Sequence, residues 1–195
     1  MIYVRDDDVL LPSSSWGSPF LRFKQIHEWI LEVPEYVVHI PAILVTEIQG
    51  FPEAIAYIKE QTADGRMQPE IHGLEHIDYG KLSLHEVKDH LKQCTQFLLD
   101  AFDIHPTIWY TPWGANSPVL QEAATDLGLK LTDCSNINKL SGRYGMVQQL
   151  KDGHDPRKFL EEKEIFMHWW ERGERLQRVL KAIKAGSWEA AHGPA

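Results

Sequence analysis

Three stretches in the middle of the chain decide its fold: "QPEIHG" (Gln68–Gly73), "LHEVKDHLKQCTQFLLDAF" (Leu84–Phe102) and "TIWYT" (Thr107–Thr111). The first and third are short and read as strands. Just before the second, Ser83 and Glu86 stand in the S-x-x-E spacing of a capping box, where each satisfies a backbone N–H at a helix start. Strand, helix and strand in succession form one unit of a parallel sheet.

The alternation continues outward from this unit. "MIYVR" opens the chain as a strand, and the loop "LLPSSSWGSP" leads into a helix with Ser18 as cap, Pro19 at its first position and an apolar stripe through Phe20, Phe23, Ile26 and Ile30. "EYVVHI" is a β-branched strand, and the helix "PEAIAYIKEQT" ends at the polar turn "ADGR". Beyond "TIWYT" come the loop "PWGAN", a helix from about Ser117 to Leu127 closed by Gly128, and strands at "LKLTDC", "GMVQQL" and "EIFMHW". A last helix carries Leu176, Val179, Leu180 and Ile183 at helical spacing, before a loose tail from about residue 186. About seven strands alternating with helices predict a single α/β domain over residues 1–195. Its parallel sheet is either closed like a barrel or open and doubly wound. In both cases the site lies at the carboxyl ends of the strands. That rule selects Asp6 to Asp8, His72, Thr111 to Gly114, Asp133 and His168.

Composition narrows the function. The net charge of -8 argues against a nucleic-acid surface, which needs clustered Lys and Arg. No apolar stretch reaches the roughly 20 residues that span a bilayer, and no signal pattern opens the chain. The expectation is a cytoplasmic protein, or a phage product released by lysis. Cys94 and Cys134 are too few for a disulfide framework or a Cys-based zinc site and read as reduced, buried thiols. The seven tryptophans supply core packing and flat apolar platforms of the kind that sugar rings stack on.

The chemistry begins with "HGLEH". His72 and His76 stand four apart, so one helical turn puts both imidazoles on the same side, a spacing that suits two ligands of one Zn²⁺ or similar ion. Glu75 directly precedes the second His, so this is not the zincin pattern. A carboxylate from "RDDDV" (Arg5–Val9) completes an open Asp-His-His site with positions left for water and substrate. No nucleophile elbow, phosphate loop or dinucleotide loop is present.

Taken in order, these motifs resemble the NodB-type polysaccharide deacetylases, carbohydrate esterase family four. "RDDDV" aligns Asp7 and Asp8 with the acidic pair of the first motif, R-[IV]-D-D-V in divergent branches; "HGLEH" matches H-[ST]-x-x-H with Gly73 at the Ser/Thr position. "YTPWG" matches R-x-P-[FY]-G with Tyr110 in place of Arg, and "IFMHW" resembles the late strand ending in His168. The resemblance covers about residues 2 to 170. It implies a distorted (β/α)-barrel and metal-dependent removal of acetyl groups from N-acetylated sugars. It also implies Asp8, His72 and His76 as ligands of a divalent metal, zinc by default, and Asp7 as general base. His168 becomes the acid for the departing amine, oriented by Asp133 or Asn136 in "LTDCSNI". The backbone N–H of Trp113 becomes an oxyanion donor. Tyr110, Pro112, Trp113 and Trp169 line the substrate side, with Trp113, Trp169 or Trp109 stacking on the sugar.

Two departures follow from the same alignment. The family's motif-three Arg pairs with the catalytic aspartate, and Tyr110 supplies no positive charge. Asp6 points to the opposite side of the strand from Asp7, toward helices or solvent, and is no ligand. An O-acetyl ester, a small cyclic amide, or carbohydrate binding without catalysis are the alternative functions. An acetylated carbohydrate is the expected partner, with no nucleic acid and no membrane.

Overall fold

The computed structural model describes residues 2–11, 18–132, 164–168 and 173–185. Its strands are β1 (Ile2–Val9), β2 (Val37–Leu44), β3 (Glu70–Gly73), β4 (Ile108–Tyr110), β5 (Lys130–Thr132) and β6 (Glu164–His168). The helices are α1 (Pro19–Leu31), α2 (Val45–Ile48), α3 (Pro52–Ala63), α4 (Leu84–Phe102), α5 (Pro118–Asp126) and α6 (Gly173–Lys184). The sheet runs β5-β4-β3-β2-β1-β6, and every pairing is parallel. Among the described residues consecutive strands are neighbours and β6 lies beside β1, an order that fits a barrel in which β5 and β6 are the outermost described strands. The stretch "GMVQQL", expected as a further strand, falls outside the described residues, as do Asp133, Asn136, Trp169, Cys134 and the tail from residue 186.

Local chemistry explains the element ends. Ser18 caps α1 by accepting from the Leu21 N–H, and Pro19 takes the first turn, where no N–H is needed. The Ser83–Glu86 capping box is closed in both directions at α4. Gly128 lies at φ 71 where α5 turns into β5, a left-handed conformation that favours glycine.

The strands sort their side chains by period two. On the helix side, Ile71 and Trp109 join Leu91, Leu98, Phe102 and Leu120 in the larger core cluster. Ile2, Val4 and Val37 join Ile26 and Ile30 of α1 and Leu176, Val179, Leu180 and Ile183 of α6 in a second cluster. The apolar stripes read from the sequence are therefore the buried ones. Cys94 is buried in the larger cluster, and burial raises its thiol pKa far above the ordinary range.

Asp6 also points to the helix side, where it is fully buried rather than solvated. The His39 Nε2 lies 3.8 Å from its Oδ2. His39 stacks on His27 with ring centroids 5.3 Å apart, their Nδ1 atoms 3.2 Å from one another, and His27 Nε2 is 3.3 Å from Gln61 Oε1. Burial pushes the His27 pKa down to about 4 and holds His39 well below its usual value, so both rings are neutral at pH 7. Asp6 thus belongs to a buried polar stack under the helices.

Candidate metal centre

The carboxyl ends of β1, β3, β4 and β6 meet at one end of the sheet, and the predicted site residues arrive there by strand. Asp7 and Asp8 come from β1, and His72 comes from β3. His168 ends β6 and pairs in register with Asp7. His76 does not follow His72 on a helical turn, as its spacing suggested. Residues 74–77 form bends beyond the strand end, and the two rings meet at a centroid distance of 5.6 Å. A strand end followed by a tight bend brings i and i+4 together as a helix would.

Two consecutive aspartates on one strand should face opposite ways. Here they do not, because β1 carries an irregularity. Its register with β2 shifts between Asp6 and Val9, and Asp8 has φ 56, in the left-handed region that non-glycine residues seldom occupy. The kink swings the Asp8 carboxylate back toward the side that Asp7 faces. Asp8 Oδ1 lies 2.8 Å from His72 Nε2 and 2.9 Å from His76 Nε2, and its Oδ2 lies 3.8 Å from His168 Nε2. Donor atoms of Asp8, His72 and His76 all lie within 4.8 Å of one another, and this is the one group of metal-ligand type among the described residues.

The protons test whether this triad fits a metal. His72 Nδ1 is 2.7 Å from the Tyr110 carbonyl oxygen, which can only accept, so Nδ1 carries a hydrogen. In the neutral ring the Nε2 lone pair then points at a carboxylate oxygen 2.8 Å away, an arrangement that needs a positive charge between them. An added proton supplies it in one state and a divalent cation in the other. A ligand His anchored through its second nitrogen is the usual second-shell pattern of metal sites. The donor set, two imidazoles and one carboxylate, suits zinc and leaves coordination positions open. Burial raises the Asp8 pKa, but hydrogen bonds and charge from His72 and His76 outweigh it and hold the carboxyl well below its usual range. It is therefore ionised, as a ligand must be.

Asp7 lies outside that triad. Its carboxylate is gripped by Arg5, with Nε 2.9 Å from Oδ1 and Nη2 donating to Oδ2 at 3.1 Å. The charge that Tyr110 lacks is thus present, contributed by a different strand. Sequence reasoning passed over Arg5, although period two along β1 puts positions 5 and 7 on one face.

Tyr110 and Pro112, expected to line the substrate side, are both buried. The Tyr110 ring lies under the Arg5 guanidinium, 4.4 Å from carbon to centroid, and its carbonyl orients His72. Trp109 is also core rather than platform, because its indole N–H donates to the His72 carbonyl from a fully buried position. Trp113 differs. It is 74% exposed, sits at φ 59 in the turn Pro112–Gly114, and meets the His76 ring at 4.6 Å. His168 is partly exposed.

Residues 44–132 match the family model described as polysaccharide deacetylase. That stretch, from the end of β2 to β5, is similar to the polysaccharide deacetylases. No curated protein matches the chain significantly in sequence. Among solved structures, it is similar to the family 4 carbohydrate esterase from Streptomyces lividans in complex with acetate, with TM-score 0.64 and 14% identity over 98% of this chain and 88% of that one. The peptidoglycan deacetylase of Bacillus subtilis gives TM-score 0.59 and 13% identity over 97% and 89%. A pseudoenzyme of the same carbohydrate esterase family from Bacillus anthracis gives 0.63 and 14% over 95% of this chain and 60% of its own. At such identities the likeness is one of fold. The chain has the parallel α/β architecture of these (β/α)-barrel proteins.

Gly73, where the family pattern has Ser or Thr, has a steric reason. A Cβ there would lie 2.8 Å from the Tyr79 hydroxyl, 3.0 Å from the Glu75 carbonyl oxygen and 3.1 Å from Tyr79 Cε2. Tyr79, fully buried, accepts the Leu74 N–H at 2.8 Å and so fills the space. Restoring the motif with Gly73→Ser is expected to destabilise the protein by about 1–3 kcal/mol through overpacking. A shift in the urea midpoint at constant m-value measures this; an unchanged midpoint would mean that Tyr79 moves aside freely.

Proposed function

We propose that this chain is a metal-dependent hydrolase that removes acetyl groups from the N-acetylated sugars of a polysaccharide or glycan. The observation that carries the reading is the convergence of Asp8, His72 and His76 at the strand ends, beside a second, independently held carboxylate and a partly exposed histidine. Asp8, His72 and His76 would hold a divalent ion, most simply Zn²⁺, whose chemistry is to polarise a carbonyl and acidify water.

The protein's own groups then divide the remaining work. Asp7 accepts the proton of the attacking water, and the Arg5 fork leaves each of its oxygens a lone pair for that purpose. His168 delivers a proton to the departing amine; without one the addition would reverse, since an amide anion is a poor leaving group. The exposed face of Trp113 receives the sugar ring by stacking, and its position against His76 brings the acetyl group near the ligands.

The test is acetate release by the purified protein, chelated and then reloaded with Zn²⁺, from N-acetylglucosamine oligomers and from acetylated xylan. Release from the oligomers that depends on added metal is the expected result. Release from xylan alone would reject the amide substrate in favour of an ester. Glycan binding without release from either would reject catalysis and leave a carbohydrate-binding module.

A further inference from the structure

We infer that Arg5 is the positioning residue for Asp7 and that Tyr110 is the platform that keeps its guanidinium in place. The inference rests on the reading of Asp7 as proton acceptor. Arg5 is 1% exposed and approaches both carboxylate oxygens of Asp7, Nη2 donating a hydrogen bond to Oδ2 and Nε making an ion-pair contact with Oδ1 at 2.9 Å. A two-point contact fixes the plane of a carboxylate as well as its distance, which a lysine ammonium cannot do. The guanidinium is fixed in turn. One of its faces covers the Tyr110 ring at 4.4 Å, and Tyr110 packs with Ile40 and Ala42 in a separate small core cluster.

The strand order makes this arrangement more than a neighbour contact. β1 and β4 are separated in the sheet by β2 and β3, so the Arg5 side chain reaches across two intervening strands to meet Tyr110. The result is a relay in which the tyrosine ring covers one face of the guanidinium and the guanidinium's edge holds the carboxylate. The Tyr110 carbonyl, at the opposite end of the same residue, orients His72. One residue of β4 therefore sets the geometry of the proposed base through its ring and of a proposed ligand through its backbone.

A buried ion pair could equally serve the fold alone, and loss of stability on mutation would not separate the two roles, because breaking any buried pair is costly. The separation comes from the fork. Arg5→Lys keeps the charge but loses the two-point contact. For a positioning residue, kcat for acetate release falls about a hundredfold, the order expected when a reacting group is misplaced by about 1 Å, with KM nearly unchanged. Bound zinc per chain, measured by elemental analysis, stays at the wild-type value because the ligands are untouched. The double variant Arg5→Met/Tyr110→Arg returns a guanidinium from the opposite wall and recovers most of the lost kcat. The ¹⁵N resonance of Arg5 Nε, shifted on Asp7→Asn, reports the contact independently of turnover.

An Arg5→Lys enzyme that is folded, metal-loaded and equal to wild type in kcat overturns the inference while leaving the function intact. A Tyr110→Leu enzyme that is folded, metal-loaded and equal to wild type in kcat overturns the role of Tyr110, and a double variant that recovers no kcat overturns the positioning of Asp7 by a guanidinium. A wild type that releases no acetate overturns the functional reading on which the inference stands.

Discussion

Replacing His76 with alanine is expected to remove metal and activity together while the fold survives. His76 is the least buried of the three donors, lies on a bend outside the sheet, and touches the site through Asp8 and Trp113. Its loss leaves one imidazole and one carboxylate, too few to hold zinc firmly at neutral pH. Lewis-acid stabilisation is worth several kcal/mol, so acetate release should fall roughly a thousandfold or more. Elemental analysis and an acetate assay on the same preparation check both halves. His85→Ala is the control, since His85 is highly exposed on α4 and pairs with Asp89 across one helical turn. Equal acetate release from the His76→Ala protein would remove the metal from the mechanism.

Asp7→Asn should give the complementary pattern, with metal kept and turnover lost. Asp7 stands outside the donor triad, so zinc retention is unaffected. The asparagine has no basicity, and loss of a general base costs typically 10²–10⁴-fold in rate. The variant also leaves the buried Arg5 charge without its partner, at a cost on the order of 3–5 kcal/mol. Domains are stable by roughly 5–15 kcal/mol, so assays should run at low temperature with folding verified by circular dichroism. A metal-loaded, folded Asp7→Asn enzyme with wild-type kcat would show that another group takes the proton.

Much of the fold was legible because two periods stand out in the sequence. The caps at Ser18 and Ser83, the glycine at 128, and the apolar stripes of α1 and α6 are local signals with local causes, and each lies where those signals put it. The metal-ligand cluster was legible through motif order rather than spacing. "HGLEH" suggested a helix, yet the two rings converge from a strand end and a bend, which sequence spacing alone cannot distinguish.

What escaped the sequence was tertiary. Trp109, Tyr110 and Pro112 looked like a substrate wall because they flank a site turn; only the packing shows that Trp109 and Tyr110 face opposite sides of a buried strand and that Trp113 alone of the "PWG" turn emerges as a large exposed surface. Tyr110 looked like a missing charge until the fold brought Arg5 over it. Asp6 read as facing either helices or solvent, and only the packing shows that the helices close over it and place His39 beside it.

The kink at Asp8 has a consequence for anyone who would transplant this site. A regular strand can deliver only every second side chain to a given face, so the sequence Asp-Asp copied onto another parallel sheet would send one carboxylate to each side. The left-handed residue and the slipped pairing are what let adjacent positions share a destination. A graft must therefore carry the backbone defect along with the residues, and a repair that straightened β1 would scatter the site without altering a single side chain.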